Sequence, residues 1–167
     1  MAKKEIILGI DPGTRITGYG AIDMDKRPID FGCIRPPPKL PLAIRYKILF
    51  ESVEALIVRL QPSFIAVESQ FVLKNAQSAI KLGMAKGMIY LAAARGGIPL
   101  YEFAPKQAKL AVVGHGSASK YQVQKMIQAL LRLPEPPQPE DAADALSLAI
   151  CCVHHMRSQC LSQSKVS

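Results

Sequence analysis

Two hydrophobic rhythms alternate along this chain. Short unbroken apolar runs stop at a turn or an acid, and between them lie longer stretches whose apolar residues return every third or fourth place. Ile6-Ile7-Leu8-Gly9-Ile10 stops at Asp11, and Phe64-Ile65-Ala66-Val67 stops at Glu68. Short apolar runs bounded by turn signals predict buried strands. Strands are expected over 5–11, 16–24, 29–35, 64–68 and 98–103. Ile44, Ile48, Leu49, Val53, Leu56, Ile57 and Leu60 keep helical spacing and predict a helix over 41–60 with one buried face. Further helices are expected at 75–95, 105–112, 120–133 and 140–157, with Ser119 as a candidate cap. The result is an α/β chain forming one domain over 1–157, with a polar tail at 158–167.

Glycine and proline refine this outline. Pro12 and Gly13 force a tight turn after Asp11, so a carboxylate sits where a strand stops. Gly18 and Gly20 fall on the second strand, where a missing side chain marks close backbone approach. Pro36-Pro37-Pro38 takes the chain out of the sheet, and Pro134 to Pro139 forms a stiff connector into the last helix. Ala79, Gly83 and Gly87, spaced by four, share one face of the 75–95 helix. Packing on the sheet is the expected use of that face, and a dimer contact the alternative.

The charge balance then narrows the partners. The 167 residues carry 21 Lys and Arg against 13 Asp and Glu, a net charge of +8, and 49% are hydrophobic. A basic globular chain favours a polyanion such as nucleic acid. Asp11 interrupts the first apolar run too early for a signal peptide, and no run reaches the roughly 18 residues of a membrane span. Cys33, Cys151, Cys152 and Cys160 lack paired spacing, which predicts reduced thiols in the cytoplasm.

Against that basic background four acids stand out. Asp11 and Glu68 each end a buried strand, and side by side they would share one sheet edge if those strands are parallel neighbours. Asp141 and Asp144 are three apart, on one face of the last helix's first turn. Acids at a helix start are ordinary, yet Ala142, Ala143 and Ala145 let this end press against the sheet. Four gathered carboxylates repel one another and raise their pKa values. Hard divalent cations such as Mg²⁺ or Mn²⁺ relieve that repulsion. Two such ions about 4 Å apart can activate water and stabilise a leaving oxygen in phosphodiester hydrolysis.

Ile7-Leu8-Gly9-Ile10-Asp11-Pro12-Gly13-Thr14-Arg15, continued by Thr17-Gly18-Tyr19-Gly20, resembles the opening motif of the RuvC family of Holliday-junction resolvases. Val67-Glu68 with Phe71, then Lys74-Asn75-Ala76, is similar to its second motif. Val112-Val113-Gly114, with Gly116-Ser117-Ala118 and Lys120, and Asp141-Ala142-Ala143-Asp144-Ala145-Leu146 match two more. Order and spacing hold over about 5–153. The resemblance implies an RNase H-like fold, a five-stranded mixed sheet flanked by helices. It implies a homodimer that nicks a four-way DNA junction symmetrically, leaving 5′-phosphate and 3′-hydroxyl ends. By motif position Asp11, Glu68, Asp141 and Asp144 would be the catalytic carboxylates, holding Mg²⁺, two ions per subunit, with Mn²⁺ as substitute. Some members carry His where this chain has Asp141. Phe71 takes the position that meets opened bases, and Lys109 and Lys120 those of lysines near the scissile phosphate. Arg15 and Lys74 are further DNA-binding candidates, and the RuvA–RuvB branch-migration complex is an implied partner.

Other readings fit less of the chain. The Asp-x-Gly turn also opens actin-like and sugar-kinase ATPases, but those need two such domains and this chain has length for one. A non-catalytic DNA-binding module is opposed by the acids, which repel phosphate unless a metal bridges them. Cys151, Cys152, His154, His155 and Cys160 suggest zinc, but neighbours on a helix point about 100° apart. Buried thiols and exposed imidazoles are expected there instead.

Overall fold

The protein was analysed as a computed structural model that describes residues 4–69 and 75–163, with side chains through 160. Five strands form one mixed sheet in the order β3-β2-β1-β4-β5: β1 Ile6–Asp11, β2 Thr17–Asp23, β3 Pro28–Ile34, β4 Phe64–Glu68 and β5 Leu100–Phe103. The first three are an antiparallel meander, whereas β4 and β5 join parallel to β1. Helices α1 (Leu42–Leu60) and α2 (Ala76–Gly96) connect the parallel strands, and α3 (Pro105–Val113), α4 (Lys120–Leu131) and α5 (Glu140–Gln163) follow. Parallel strands need such crossovers, so their order follows from the alternation of apolar rhythms.

Side chains on successive strand residues face opposite sides, and the sheet therefore separates two cores. Leu8, Ile10, Ile65 and Val67 face α1 and α2. Ile7, Ile22 and Ala66 face α5, with α3 and α4 completing that layer. Helix α5 is buried nearly all round through its first half, and Ala142, Ala145, Leu146, Ala149, Ile150 and Cys152 are inaccessible. It reaches the sheet because β1 and β2 present glycine to it. A Cβ on Gly9 would lie 2.0 Å from the Ala145 carbonyl oxygen, and one on Gly18 1.9 Å from that of Asp141. Close approach at Gly18 and Gly20 is thus realised.

Some expectations change. Gly83 and Gly87 do not pack on the sheet, and a Cβ on either would meet nothing within 4 Å. Helix α2 turns Ala85, Ile89, Ala92 and Ala93 inward instead, because these supply the apolar bulk that fills the core beside α1. Ile44 on α1 is exposed and Tyr46 takes its inward place, where its hydroxyl donates to the Lys81 carbonyl at 2.9 Å. Helix α5 runs to Gln163, past the expected end near Arg157, and Ser158 Oγ donates to the His154 carbonyl within it. The imidazoles of 154 and 155 are half-buried, and His155 lies 5.7 Å from the rings of both Tyr101 and Phe103. Cys151 and Cys152 are buried in the α5 core, where burial pushes the thiols up to about 11 and about 12. No helix among the described residues is long and apolar enough to cross a membrane.

Candidate active site

The site lies at the end of β1, where the antiparallel and parallel halves of the sheet meet. The β1–β4 ladder pairs Ile10 with Val67, and the next residues on the two parallel strands are Asp11 and Glu68. On its other side Asp11 pairs with Gly18 of β2. The turn between them is narrow: a Cβ on Gly13 would lie 1.9 Å from the Ile16 carbonyl oxygen, and the buried Thr17 hydroxyl sits 3.4 Å from both the Gly13 amide and carbonyl. The end of β4 is held by the Ser69 amide donating to the Phe103 carbonyl at 2.9 Å. Both strand acids are therefore fixed by backbone.

Helix α5 brings the second pair. Its first residues follow a Pro-rich connector, and the Ala142 amide donates back to the Pro139 carbonyl at 3.0 Å. Because Gly18 receives the Asp141 backbone directly, one β2 residue touches both halves of the site: Asp11 across the ladder and Asp141 across the helix contact. Asp141 and Asp144 stay half-buried while the alanines between them are fully covered.

The electrostatics report the convergence. Burial raises Asp11 to about 8, and the negative charges of Glu68, Asp144 and Asp141 push in the same direction. Burial also raises Asp144 to about 6, opposed by Lys120 and reinforced by Glu140, Glu68 and Asp141. Lys120 at the start of α4 is thus the cation facing the acids, and its Nζ pairs with Glu140 at 3.1 Å. Ser119 caps that helix as expected, accepting from the Gln122 amide at 3.2 Å.

The other candidates fall elsewhere. Lys109 is half-buried on α3, in the layer beside α5. Arg15 is exposed in the turn after β1 and lines a pocket there. Phe71 and Lys74 lie outside the described residues. The sequence reading passed over Arg45, whose guanidinium donates to the Thr14 carbonyl and so ties α1 to the β1–β2 turn. A signal was available, since a cation in a helix's first turn opposes the helix dipole and needs a reason.

These acids suit a hard cation by donor chemistry: four carboxylates and no soft ligand, with burial and neighbouring negative charge holding Asp11 and Asp144 above the usual carboxylate range. Among the described residues no three His, Cys, Asp or Glu side chains stand close enough to grip one ion together.

The fold is RNase H-like, with carboxylates at the ends of its first and fourth strands and at the opening of its last helix. The family model described as "Crossover junction endodeoxyribonuclease RuvC" matches residues 7–152. The chain belongs to the RuvC family. It is 56% identical over 168 residues to the crossover junction endodeoxyribonuclease RuvC of Protochlamydia amoebophila, covering 99% of this chain and 98% of that one. The Thermus thermophilus RuvC solved in complex with a Holliday junction substrate superposes with a TM-score of 0.86 at 31% identity, over 93% of this chain and 96% of that one. A second T. thermophilus RuvC structure gives a TM-score of 0.83, also at 31% identity, over 92% of this chain and 96% of that one.

Proposed function

We propose that this RuvC-family endonuclease resolves four-way DNA junctions by paired symmetric nicks, with Asp11, Glu68, Asp141 and Asp144 as its metal-binding catalytic carboxylates. The convergence of their charges at one sheet edge of a basic chain supports this most strongly. Two Mg²⁺ ions per subunit, replaceable by Mn²⁺, fit the donor set and would supply Lewis-acid stabilisation of the scissile phosphate and a nucleophilic water. The chain's own part is to fix the carboxylates. Asp11 and Glu68 are held by the ladder, and Asp141 and Asp144 by the glycine-lined seat of α5. Lys120, whose ion pair among the described residues is with the partly exposed Glu140, can turn toward charge developing at the phosphate. Phe71, Lys74, Lys109 and Arg15 would contact the junction, and acting on chromosomal DNA places the protein in the cytoplasm, with RuvA–RuvB as partner.

The exposed face of α2 supports a homodimer. Ile80 is 64% exposed, and Met84 and Leu91 are also exposed. With Gly87 between them they form an unpartnered apolar stripe at helical spacing, where the glycines admit a second backbone. Gly87→Arg is expected to sediment as a monomer with melting temperature unchanged or raised, since Arg favours helix over Gly by roughly 0.8 kcal/mol. A wild type that sediments as a monomer overturns the dimer.

Cleavage of a synthetic four-way junction, with and without Mg²⁺, tests the function. Paired metal-dependent nicks support it, whereas tight binding with no cutting under any metal points to a binding module. Lys120→Gln separates chemistry from scaffold. Its exposed ion pair is worth about 1 kcal/mol or less, so the melting temperature should hold while kcat falls by about 100-fold. A variant of normal rate removes Lys120 from the mechanism.

A further inference from the structure

In the turn that follows Asp11 opens a pocket of about 280 Å³ lined by Thr14, Arg15, Leu42, Arg45, Ser78 and Lys81. Three of these six residues are cations and none is an acid. Leu42 and Arg45 belong to the first turn of α1, which has neither an acidic residue nor a side-chain cap. Ser78 belongs to the first turn of α2, likewise without an acid. The uncapped start of α1 thus borders a pocket that already holds three positive side chains, whereas the α2 amides of Gln77 and Ser78 are taken by the Asn75 cap.

Arg45 is the telling member. One of its terminal nitrogens donates to the Thr14 carbonyl, but its Nε is buried and has no hydrogen-bond partner among the described residues. No acid neutralises this guanidinium within the pocket, so its charge is left for a ligand that accepts. Tyr46 adds rigidity, because its hydroxyl bond to the Lys81 carbonyl ties α1 to α2 at this pocket.

We propose that Arg45 and Lys81, with Arg15, form a subsite for one backbone phosphodiester of the cleaved DNA strand, at a nucleotide other than the one being cut. The inference rests on the junction-nuclease reading above and adds to it a positioning site. Thr14 and Arg15 follow Asp11 by three and four residues, so a phosphate seated here bears on the turn that leaves the catalytic strand. Arg45 is then a positioning residue: it grips the turn with one nitrogen and adds its charge to the pocket wall.

The test measures junction affinity in EDTA, where cutting is suppressed, across a range of KCl. The probes are the full junction and junctions in which single phosphates of the cleaved strand are replaced by neutral methylphosphonates. Lys81→Gln should lower the slope of log affinity against log salt by about 0.9, the share of one phosphate contact. One methylphosphonate position should weaken wild type by about 5- to 10-fold and leave Lys81→Gln unaffected. Arg45→Gln should repeat this non-additivity at the same position, and Lys81→Gln carries the decisive comparison because its side chain does not tether the turn. Additive losses at every position overturn the subsite. If melting of wild type, but not of Lys81→Gln, responds to inorganic phosphate at matched ionic strength while the methylphosphonate effects stay additive, the pocket serves free anions and the proposal fails. A wild type that binds no junction fails the functional reading itself, a result the salt slopes cannot imitate.

Discussion

Asp11→Asn should abolish metal-dependent junction cutting, by about 10³-fold or more, while junction binding persists. Asn keeps the size of Asp and most of its hydrogen bonding but removes the charge a cation needs. The same variant has a signature independent of activity. In the folded, metal-free protein burial and three neighbouring acids hold the Asp11 carboxyl at about 8 instead of 3.8. A carboxyl raised on folding binds its proton more tightly in the native state, so its contribution to stability falls as pH rises from about 4 and is fully lost above about 8. Asp144, raised to about 6, adds to the decline over the lower half of that window. Wild type without metal should therefore melt lower at pH 8 than at pH 5, and Asp11→Asn should lose much of that dependence. Mg²⁺ at ten times its dissociation constant should stabilise wild type by about 1.4 kcal/mol, or roughly 3–5 °C, and the variant hardly at all. Equal Mg²⁺ shifts in both proteins, with cutting retained, would remove Asp11 from the metal site.

Gly18→Ala tests the scaffold. The added Cβ would stand 1.9 Å from the Asp141 carbonyl oxygen and 2.3 Å from its carbon, both backbone atoms. A side chain could swing away, but here the whole helix end must shift. The expected cost is about 3 kcal/mol, a fall of roughly 6–12 °C in melting temperature. The shift also carries Asp141 and Asp144 from Asp11, so apparent Mg²⁺ affinity should drop by about 10- to 100-fold, the effect of disturbing what orients a ligand. Gly83→Ala is the control: its Cβ has open space, and better helix propensity should leave the protein as stable or more so. A Gly18→Ala protein that melts like wild type would show that α5 does not depend on this seat.

These two residues also show what could be read from the chain. Asp11 was legible because an apolar run that ends in an acid and a Pro-Gly turn has few structural uses, and Glu68 repeated the pattern. Gly18 was legible as a gap in a strand, although its partner was not, since nothing local says that residue 141 arrives there. The same limit explains α2. Spacing by four puts Ala79, Gly83 and Gly87 on one face but does not say whether the face looks in or out, and the larger apolar residues Ile89 and Met88 competed for the core and won it. Ile44 had helical spacing too, yet it lies in a first turn where the sheet is not beneath it, and Tyr46 found both a core and a hydrogen-bond acceptor. Arg45 was invisible for a different reason: its significance lies in an unmatched nitrogen, which no pattern of hydrophobicity records.

The placement of the acids along the chain has a consequence for synthesis. Asp144 is translated long after Asp11, following every strand and four of the five helices. A chain stopped anywhere before Glu140 lacks half of the acids and the helix that would seat them, however much of the sheet has formed. Unfinished products thus lack half of the proposed metal site.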